Sequence, residues 1–351
     1  METFTVGFKD LEKYNELQYA RQIAKEFQTN HHEILLTEQD AIDFLPKMVW
    51  HQDEPNADPV CVPLYFVSKL ARESGTIVVQ VGEGSDEEFS GYTHYLRELR
   101  YHDYYYALLP QAVKDLAYQA AKKMRGDALP VEYARRASEN DVPFYGGAVS
   151  ITEEMKHNLL TDSFRRSVQV SGRVADGFFA QLESLLPDSR NAEFLRKMIY
   201  AEFKGRLAEL LLMRVDKMSM AVSIEARVPF LDHRLVEFAF RIPQQLKIKN
   251  GVPKYIMKKA AEGIIPENII YRRKQGFAAP SSEWLRSGKL APMAEERVMT
   301  SGIMTQHLFN KKYVKHLFEA HRSGRRDVSS PLWTLLLASM WYDVHFDGKT
   351  L

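Results

Sequence analysis

Residues 76–92 (TIVVQVGEGSDEEFSGY) constrain the fold more than any other stretch of this chain. The β-branched run 77–81 predicts a buried strand of a parallel sheet, and it stops at Gly82 and Gly84. Ser85 follows the glycines and is placed to cap a new helix. In an open α/β sheet, ligands bind beyond the carboxyl ends of the strands, where glycines let a ligand approach the backbone. This segment is therefore a candidate ligand site.

Acidic residues crowd this turn, at Glu83, Asp86, Glu87 and Glu88. Carboxylates at the end of a parallel strand can hold Mg²⁺ on a bound nucleotide. Asp and Glu also favour the first turn of any helix, because they complement its macrodipole. These residues alone leave both interpretations open, a metal–nucleotide site and an ordinary acidic start of a surface helix.

Charge and composition argue against several classes of protein. Lys and Arg number 47 against 46 Asp and Glu, so no bulk charge favours nucleic acid or an anionic membrane, although the short run 322–326 is basic. No apolar run reaches the length of a membrane span, and no signal-peptide pattern opens the chain. The single cysteine, Cys61, has apolar neighbours, which indicates a small buried side chain rather than a nucleophile. We expect a cytoplasmic protein that binds neither nucleic acid nor membrane.

The first 92 residues alternate strand-like and helical segments. Strands are predicted at 3–8, 32–36 and 76–81, and helices at about 15–27, 39–50 and 63–74. Thr37 is placed to cap the second of these helices. Such alternation predicts a parallel sheet with helical crossovers. His31 and His32 lie in one strand, so their rings point to opposite faces, which favours structural roles over a shared metal.

Helical periodicity dominates after residue 92. Helices are predicted at about 111–125, 150–160, 192–222, 233–241, 253–262, 311–321 and 331–345. No internal repeat or flexible linker separates the two parts of the chain. We expect one domain over 1–351, with an α/β nucleotide-binding part at 1–92 and a mainly helical part at 93–351.

The segment 214–232 (RVDKMSMAVSIEARVPFLD) mixes opposite charges with apolar residues. A helix that carries Arg214 and Lys217 is predicted to run into Glu225 and Arg227. Because the charges lie beside methionine, valine and isoleucine, we expect partly buried ion pairs that position the chain. Asp232 is predicted to cap the helix that begins at residue 233.

Lys254 is predicted in the first turn of a helix, directly after Gly251 and Pro253. A lysine at that position opposes the helix macrodipole, so another interaction is expected to favour it. A phosphate ligand would explain the lysine, and the alternative is a plain exposed side chain. The basic residues 272–274 ahead of Gly276 leave the same choice between phosphate binding and solvation.

Several parts of the chain together resemble the synthetase domain of glutamine-dependent asparagine synthetases. They are residues 3–8, 82–92, 214–232 and 273–277, and Lys254. The resemblance spans most of the chain, with its segments in the family's order. It implies an adenine nucleotide alpha-hydrolase-like α/β fold, a parallel sheet with flanking helices, plus a large all-helical extension. It also implies ATP and Mg²⁺ as cofactors and aspartate or another carboxylate as substrate.

In the reaction that this resemblance implies, the aspartate side-chain carboxylate attacks the ATP α-phosphorus and releases pyrophosphate. Ammonia then attacks the β-aspartyl-AMP and gives asparagine and AMP. For the nucleotide, the resemblance places adenine against the backbone of Val6. It places the nucleotide pocket at Gly82, with Gly84 and Ser85 beside it.

The resemblance also implies roles for the charged residues. Asp86 is the expected Mg²⁺ ligand, and Glu87 is expected to support the metal shell. Glu83 would orient or deprotonate the attacking amine. Lys254 would stabilise charge on the α-phosphate and on pyrophosphate, which agrees with the need for a cation at developing oxygen charge.

Two departures from the family pattern bear on these expectations. Glu2 stands where a glutaminase domain would begin with a nucleophilic cysteine, so ammonia is expected from a glutaminase domain absent here. The family's pyrophosphate loop, Ser-Gly-Gly-x-Asp-Ser, occurs nowhere in the sequence. We therefore expect a chain that lacks the central first strand of the sheet and is impaired alone, with a possible partner chain that carries this strand and loop.

Other functions stay open at this stage. One is a related amidotransferase that acts on a surface-polysaccharide or peptide carboxylate, with its acceptor selected by loops such as 53–63. A second is a non-catalytic half of a split enzyme. The third is a basic nucleic-acid-binding module, which the near-neutral net charge of +1 disfavours.

Overall fold

A computed structural model describes residues 1–9, 11–168, 172–185 and 193–349. The strands within these ranges are β1 (Glu2–Phe8), β2 (Asn30–Leu36), β3 (Val78–Gln80) and β4 (Glu225–Arg227). The helices of the first half are α1 (Leu17–Glu26), α2 (Glu38–Gln52), α3 (Cys61–Glu73), α4 (Ser85–Phe89), α5 (Thr93–Tyr101), α6 (Gln111–Arg125), α7 (Leu129–Ser138), α8 (Glu153–Leu159), α9 (Asp162–Arg165) and α10 (Gly172–Leu185).

The helices of the second half are α11 (Phe194–Glu202), α12 (Met213–Met220), α13 (His233–Arg241), α14 (Gln244–Lys247), α15 (Tyr255–Ala261), α16 (Glu267–Ile270), α17 (Ser281–Ser287), α18 (Leu290–Thr300), α19 (Gly302–Thr305), α20 (Lys311–Arg322) and α21 (Ser329–His345). Short 3₁₀ turns occur at Glu12–Tyr14 and Pro229–Leu231, and π-helical segments at His102–Tyr106 and Phe203–Leu212. The chain is thus mostly helical with small parallel sheets, as predicted.

Most predicted elements are present, and their ends are shifted by at most three residues. The helix predicted at 192–222 runs without a break through α11, a π-helical segment and α12, from Phe194 to Met220; its first predicted residue, 192, lies outside the described residues. Helices α5, α7, α9, α10, α14 and α16–α19 were not predicted. Several of them, α9, α14, α16 and α19, have only four residues, which is too few to show a helical period.

Strands β1 and β2 form one parallel pair, in which Val6 lies opposite Ile34. Phe8 at the end of β1 is buried and meets the Trp284 ring edge to face, with ring centroids 5.8 Å apart. The two histidines of β2 have separate partners: His31 lies 2.9 Å from the Thr3 hydroxyl and His32 lies 2.6 Å from a Glu2 carboxylate oxygen. The prediction that the histidines play separate structural roles agrees with these contacts.

Strands β3 and β4 form a second parallel pair, and two predictions were wrong there. The run 77–81 is parallel, as predicted, but it is not buried, because 60% of Ile77 is exposed. Glu225–Arg227 is a strand and does not continue a helix. The helix ends because Ser223 takes a left-handed φ of 58°, after which Glu225 N donates to the Ile77 carbonyl at 2.9 Å. A β-branched run indicates a strand, but the burial of that strand depends on the elements beside it, which the run does not specify.

The described chain divides into two compact units. The first unit comprises Met1–Val81, Leu212–Arg227 and Glu262–Leu351. Its C-terminal helix α21 is apolar on nearly every face and is buried, with Trp333 and Leu336 almost fully covered. The second unit comprises Gly82–Leu211 and Val228–Ala261. Its core includes the buried side chains Tyr95, Phe144, Leu195, Met198 and Ile199.

The charged segment 214–232 forms the ion pairs that its sequence predicts. Arg214 pairs with Asp58, and both side chains are largely buried. Lys217 pairs with Asp53, so α12 holds the loop before α3 at two points. The Asp232 carboxylate accepts a hydrogen bond from Arg234 N at 3.0 Å, which confirms the predicted cap of α13.

Cys61 is fully buried at the start of α3, as predicted. Burial raises the pKa of its thiol well above the ordinary value, which makes it a poor nucleophile. No helix in the described ranges is long and apolar enough to cross a membrane.

The predicted cap of α2 leads to a stability test. Thr37 Oγ1 accepts from Asp40 N at 3.2 Å, and the Asp40 carboxylate accepts from Thr37 N at 2.8 Å. We expect Thr37→Ala to lower the free energy of unfolding by about 1 kcal/mol, because the first-turn amide loses its acceptor. Urea denaturation measures the change, with Thr37→Ser as the control that keeps the hydroxyl. Equal stability of the two variants would contradict the role of the cap.

Candidate active site

The turn after β3 depends on Gly84, which is the N-cap residue of α4 and has φ of 93°. A Cβ at this position would lie 2.5 Å from Leu231 Cδ2, so both the backbone and the available space require glycine. The prediction that Ser85 caps the helix was wrong. Ser85 is the first helical residue and makes no side-chain capping bond, because Gly84 already occupies the cap.

Lys254 lies immediately before α15 and not in its first turn, which corrects the sequence prediction. Its carbonyl accepts the first helical hydrogen bond, from Lys258 N at 2.9 Å. The backbone of Lys254 is left-handed, with φ of 55°. A non-glycine residue in that region costs on the order of 1–3 kcal/mol, so the surrounding contacts must hold it in place.

The side chains of Ser85, Asp86 and Lys254 meet. Lys254 Nζ donates to Ser85 Oγ at 2.8 Å and lies 3.0 Å from Asp86 Oδ1. The sequence had assigned these three residues to one nucleotide site, and the structure brings them together. A serine hydroxyl, a carboxylate and an ammonium at one point can bind both an anion and a cation.

An apolar cluster holds this arrangement in place. Phe89 at the end of α4 packs with Ala239 and Ile242 at the C-terminal end of α13. Ile256 and Met257 of α15 pack against the same cluster. The helix that carries Asp86 and the helix that follows Lys254 are therefore fixed to a common core.

Gly91 is a site residue that sequence reasoning missed. A Cβ there would lie 1.8 Å from Asp86 Oδ1 and 2.3 Å from Lys254 Cε. Gly91 N also donates to the Asp86 carbonyl at 2.8 Å, directly after Ser90, which has a left-handed φ of 57°. A glycine after a short helix signals a helix end. The sequence gives no sign of the space that this glycine leaves for the ion pair.

Glu87 points into the interior of the second unit. Its carboxylate accepts a hydrogen bond from Tyr92 Oη at 2.6 Å and lies 4.0 Å from Arg206 Nη1. The Arg206 guanidinium is 4.6 Å from the centroid of the Tyr92 ring and 3.1 Å from a Glu202 oxygen. Burial raises the pKa of Glu87. The sequence analysis predicted that Glu87 supports a metal site. It did not predict that Tyr92, Arg206 and Glu202 would be its neighbours.

Glu88 and Lys247 are a second buried feature beside α4. Glu88 is 0% exposed, and neither of its carboxylate oxygens has a hydrogen-bond partner among the described residues. Burial raises its pKa from 4.5 to about 8. Lys247 is also buried, and burial lowers its pKa to about 8. Both shifts have the same cause, the loss of solvation of the charged form.

The other predicted site residues lie in more open surroundings. Gly82 is exposed, and a Cβ there would meet nothing within 4 Å. Glu83 is partly exposed in the turn between Gly82 and Gly84. Val6 belongs to the first unit, where it helps to line a cavity of about 230 Å³. The other residues that line this cavity include Phe4, Thr5, Phe8, Tyr14, Gly276 and Phe277.

The metal-binding capacity of the described residues is limited. No group of three or more His, Cys, Asp or Glu side chains within the described ranges is arranged to hold a metal ion. Mg²⁺ commonly uses only one or two carboxylates and takes its remaining ligands from substrate phosphates and water. Asp86 therefore fits a metal shared with a phosphate ligand, while Glu87 is engaged by Tyr92.

Comparison with known proteins identifies the class of protein that this fold and site define. The asparagine synthase family matches residues 1–343, and the chain belongs to this family. Glutamine-hydrolyzing asparagine synthetase 1 of Bacillus subtilis is 32% identical over 99% of the chain and 53% of its own length. The human glutamine-hydrolyzing asparagine synthetase is 22% identical over 95% of the chain and 46% of its own length.

One relative of the chain, from a fungus, is not named as an asparagine synthetase. Amidase chyE of Penicillium rubens is 24% identical over 81% of the chain and 44% of its own length. The chain spans about half the length of the curated relatives that it matches.

The buried Glu88 predicts a pH-dependent stability. Its folded-state pKa of about 8 lies above its ordinary value of 4.5, so the folded protein binds more protons than the unfolded chain between these values. Stability should therefore fall as the pH rises from about 5 to 8. We expect Glu88→Gln to remove this loss, so that the variant gains stability relative to the native protein across that range.

Urea denaturation at pH 5, 6 and 7 measures this difference, below the pKa of about 8 at which Lys247 itself loses its proton in the folded protein. Glu237→Gln, on an exposed position of α13, is the matched control and should show a constant difference. A pH-independent difference for Glu88→Gln as well would contradict the proposed protonation of Glu88.

Proposed function

We propose that this chain is the synthetase part of an ATP-dependent amide ligase of the asparagine synthetase type. It forms β-aspartyl-AMP and pyrophosphate from aspartate and ATP, and ammonia then converts β-aspartyl-AMP to asparagine and AMP. The observation that carries this proposal is the meeting of Ser85, Asp86 and Lys254 in a chain of the asparagine synthase family.

In this proposal Lys254 acts on the phosphates. Its ammonium, paired with Asp86 at 3.0 Å, is positioned to neutralise charge that develops on the α-phosphate and on departing pyrophosphate. Lys258 lies one helical turn later, and burial, with a smaller contribution from the Lys254 charge, lowers its pKa.

The same proposal assigns the metal to Asp86. Bound Mg²⁺ would neutralise phosphate charge and orient the leaving group. Asp86 would hold it, and Glu87 would support the site from the interior by fixing α4 through Tyr92. Glu83, in the turn before α4, would orient or deprotonate the attacking amine.

The nucleotide has two proposed contacts. Gly82, Gly84 and Ser85 would let the ligand approach the backbone of the turn. The backbone of Val6 would meet adenine, and the cavity beside β1 supports this role because aromatic and glycine residues line it.

We extend the proposal to the whole domain. Residues 1–351 would form a single adenine nucleotide alpha-hydrolase-like synthetase domain of a cytoplasmic enzyme. Ammonia would come from a glutaminase domain, as the names of the glutamine-hydrolyzing relatives suggest. A partner chain could supply the pyrophosphate loop that the sequence lacks.

A different carboxylate acceptor is the second candidate. The match to amidase chyE favours it, because a relative with another name shares this domain. The loop before α3, which we propose to select the acceptor, is held by the pairs of Arg214 with Asp58 and Lys217 with Asp53.

Pyrophosphate release from ATP and Mg²⁺ tests the proposed function. Release that requires aspartate and an ammonium salt would support asparagine synthesis, whereas release only with another carboxylate would support the second candidate. If this chain releases no pyrophosphate alone but does so when a chain with the missing loop is added, the result would support a split enzyme. A chain that neither binds ATP nor releases pyrophosphate under any of these conditions would contradict the proposal.

We expect Lys254→Met to reduce pyrophosphate release at least about 100-fold, because a preorganised donor to the reacting phosphates is lost. Lys259→Met is the matched control, since Lys259 is exposed on the same helix. Its rate should stay within twofold of the native rate. Thermal melting of both variants shows whether the fold is retained, and a normal rate for Lys254→Met would overturn its assignment.

The cavity beside β1 yields a separate prediction for adenine. A Cβ at Gly276 meets nothing within 4 Å, so Gly276→Leu should fold and fill part of the cavity. We expect ATP to bind at least about tenfold more weakly while inorganic pyrophosphate binds unchanged, since one lost apolar contact is worth on the order of 1–3 kcal/mol. Isothermal titration calorimetry measures both. Unchanged ATP affinity would exclude this cavity as the adenine site.

A further inference from the structure

The residues that we propose to bind the metal and the phosphates are bound to each other. Lys254 Nζ lies 3.0 Å from Asp86 Oδ1, and each side chain is only a fifth to a quarter exposed. Because solvent screens a partly buried pair less than a surface pair, separating its charges has a real cost. Either ligand must meet this cost if it binds alone.

We propose that the Asp86–Lys254 ion pair couples metal binding to phosphate binding, so that each ligand binds weakly alone and strengthens the other. This inference rests on the proposed function. A metal ion that takes Asp86 releases Lys254 for phosphate, and a phosphate that takes Lys254 releases Asp86 for the metal. The two side chains thus exchange their contact with each other for one contact each to a ligand.

Charge explains why the exchange must be concerted. A phosphate that binds without metal draws Lys254 away and leaves the Asp86 carboxylate close to another anion. A metal that binds without phosphate leaves the Lys254 ammonium close to another cation. When both bind, each protein charge faces an opposite charge, and the unfavourable contacts disappear.

The packing limits other ways of separating the pair. Gly91 has no side chain and leaves the space that Asp86 Oδ1 and Lys254 Cε occupy. Ser85 Oγ accepts from the same ammonium at 2.8 Å. The carboxylate and the ammonium are therefore set against each other by the backbone around them, before any ligand binds.

Thermodynamic linkage makes the coupling reciprocal: the factor by which metal tightens phosphate binding equals the factor by which phosphate tightens metal binding. Typical coupling between sites is about 5–150-fold. We expect inorganic pyrophosphate to bind the native chain at least about fivefold more tightly with Mg²⁺ than in EDTA, at the lower end of that range.

Two variants test the ion pair from opposite sides. Asp86→Asn frees Lys254 from its counterion, so pyrophosphate in EDTA should bind at least about fivefold more tightly than to the native chain, and Mg²⁺ should no longer strengthen binding. Lys254→Met removes the competing ammonium beside Asp86, so Mg²⁺ alone should bind more tightly than to the native chain. Isothermal titration calorimetry measures each affinity, and thermal melting verifies folding.

Asp232→Asn is the matched control for Asp86→Asn. It makes the same charge change in the same compact unit, on an exposed pair with Arg234, and asparagine is an equally good helix cap. Its pyrophosphate affinity should equal that of the native chain, with and without Mg²⁺.

The outcomes separate this inference from the proposed function. If the native chain binds pyrophosphate with Mg²⁺ but Asp86→Asn gains no affinity in EDTA and Lys254→Met gains none for Mg²⁺, the coupling is wrong and the site assignment stands. A native chain that binds neither ATP nor pyrophosphate with Mg²⁺ would contradict the proposed function. If Asp86→Asn does not fold, the Lys254→Met measurement decides the question alone.

Discussion

The packing of Phe89 against α13 and α15 is the contact on which the candidate site depends. Phe89 ends a helix of only five residues, which would not be stable in isolation. Its ring anchors that helix to Ala239 and Ile242, and Ile256 and Met257 join the same cluster. Apolar burial therefore places Asp86 beside Lys254, and the polar contacts at 2.8 and 3.0 Å refine a geometry that the core already imposes.

Buried charge distinguishes the interior behind α4. Glu87 shares its environment with Tyr92 and Arg206, so its desolvation is partly offset by a hydrogen bond and a nearby cation. Glu88 has no such hydrogen bond, and its carboxyl is favoured in the neutral form, with a pKa of about 8. Burial thus raises the pKa of both adjacent glutamates, but only Glu87 has a hydrogen-bond partner among the described residues.

Three of the predicted site residues lie together in the structure. Ser85, Asp86 and Lys254 were assigned to one nucleotide site through a family resemblance, and they are in contact. The local pattern began this helix two residues too early, at 253, and so placed Lys254 inside it, because hydropathy gives no sign of a positive φ. Gly91 was missed because its role is to leave room for two atoms of other residues, Asp86 Oδ1 and Lys254 Cε.

The sequence by itself determined the long amphipathic helices, the parallel pair of β1 and β2, the caps at Thr37 and Asp232, and membership of the family. These features follow from local periodicity, capping chemistry and motif order, which need only neighbouring residues. Tertiary structure alone decided that Glu225–Arg227 is a strand and that Gly91 must lack a side chain. Both depend on contacts with residues that are distant in the sequence, and a local sequence pattern gives no information on such contacts.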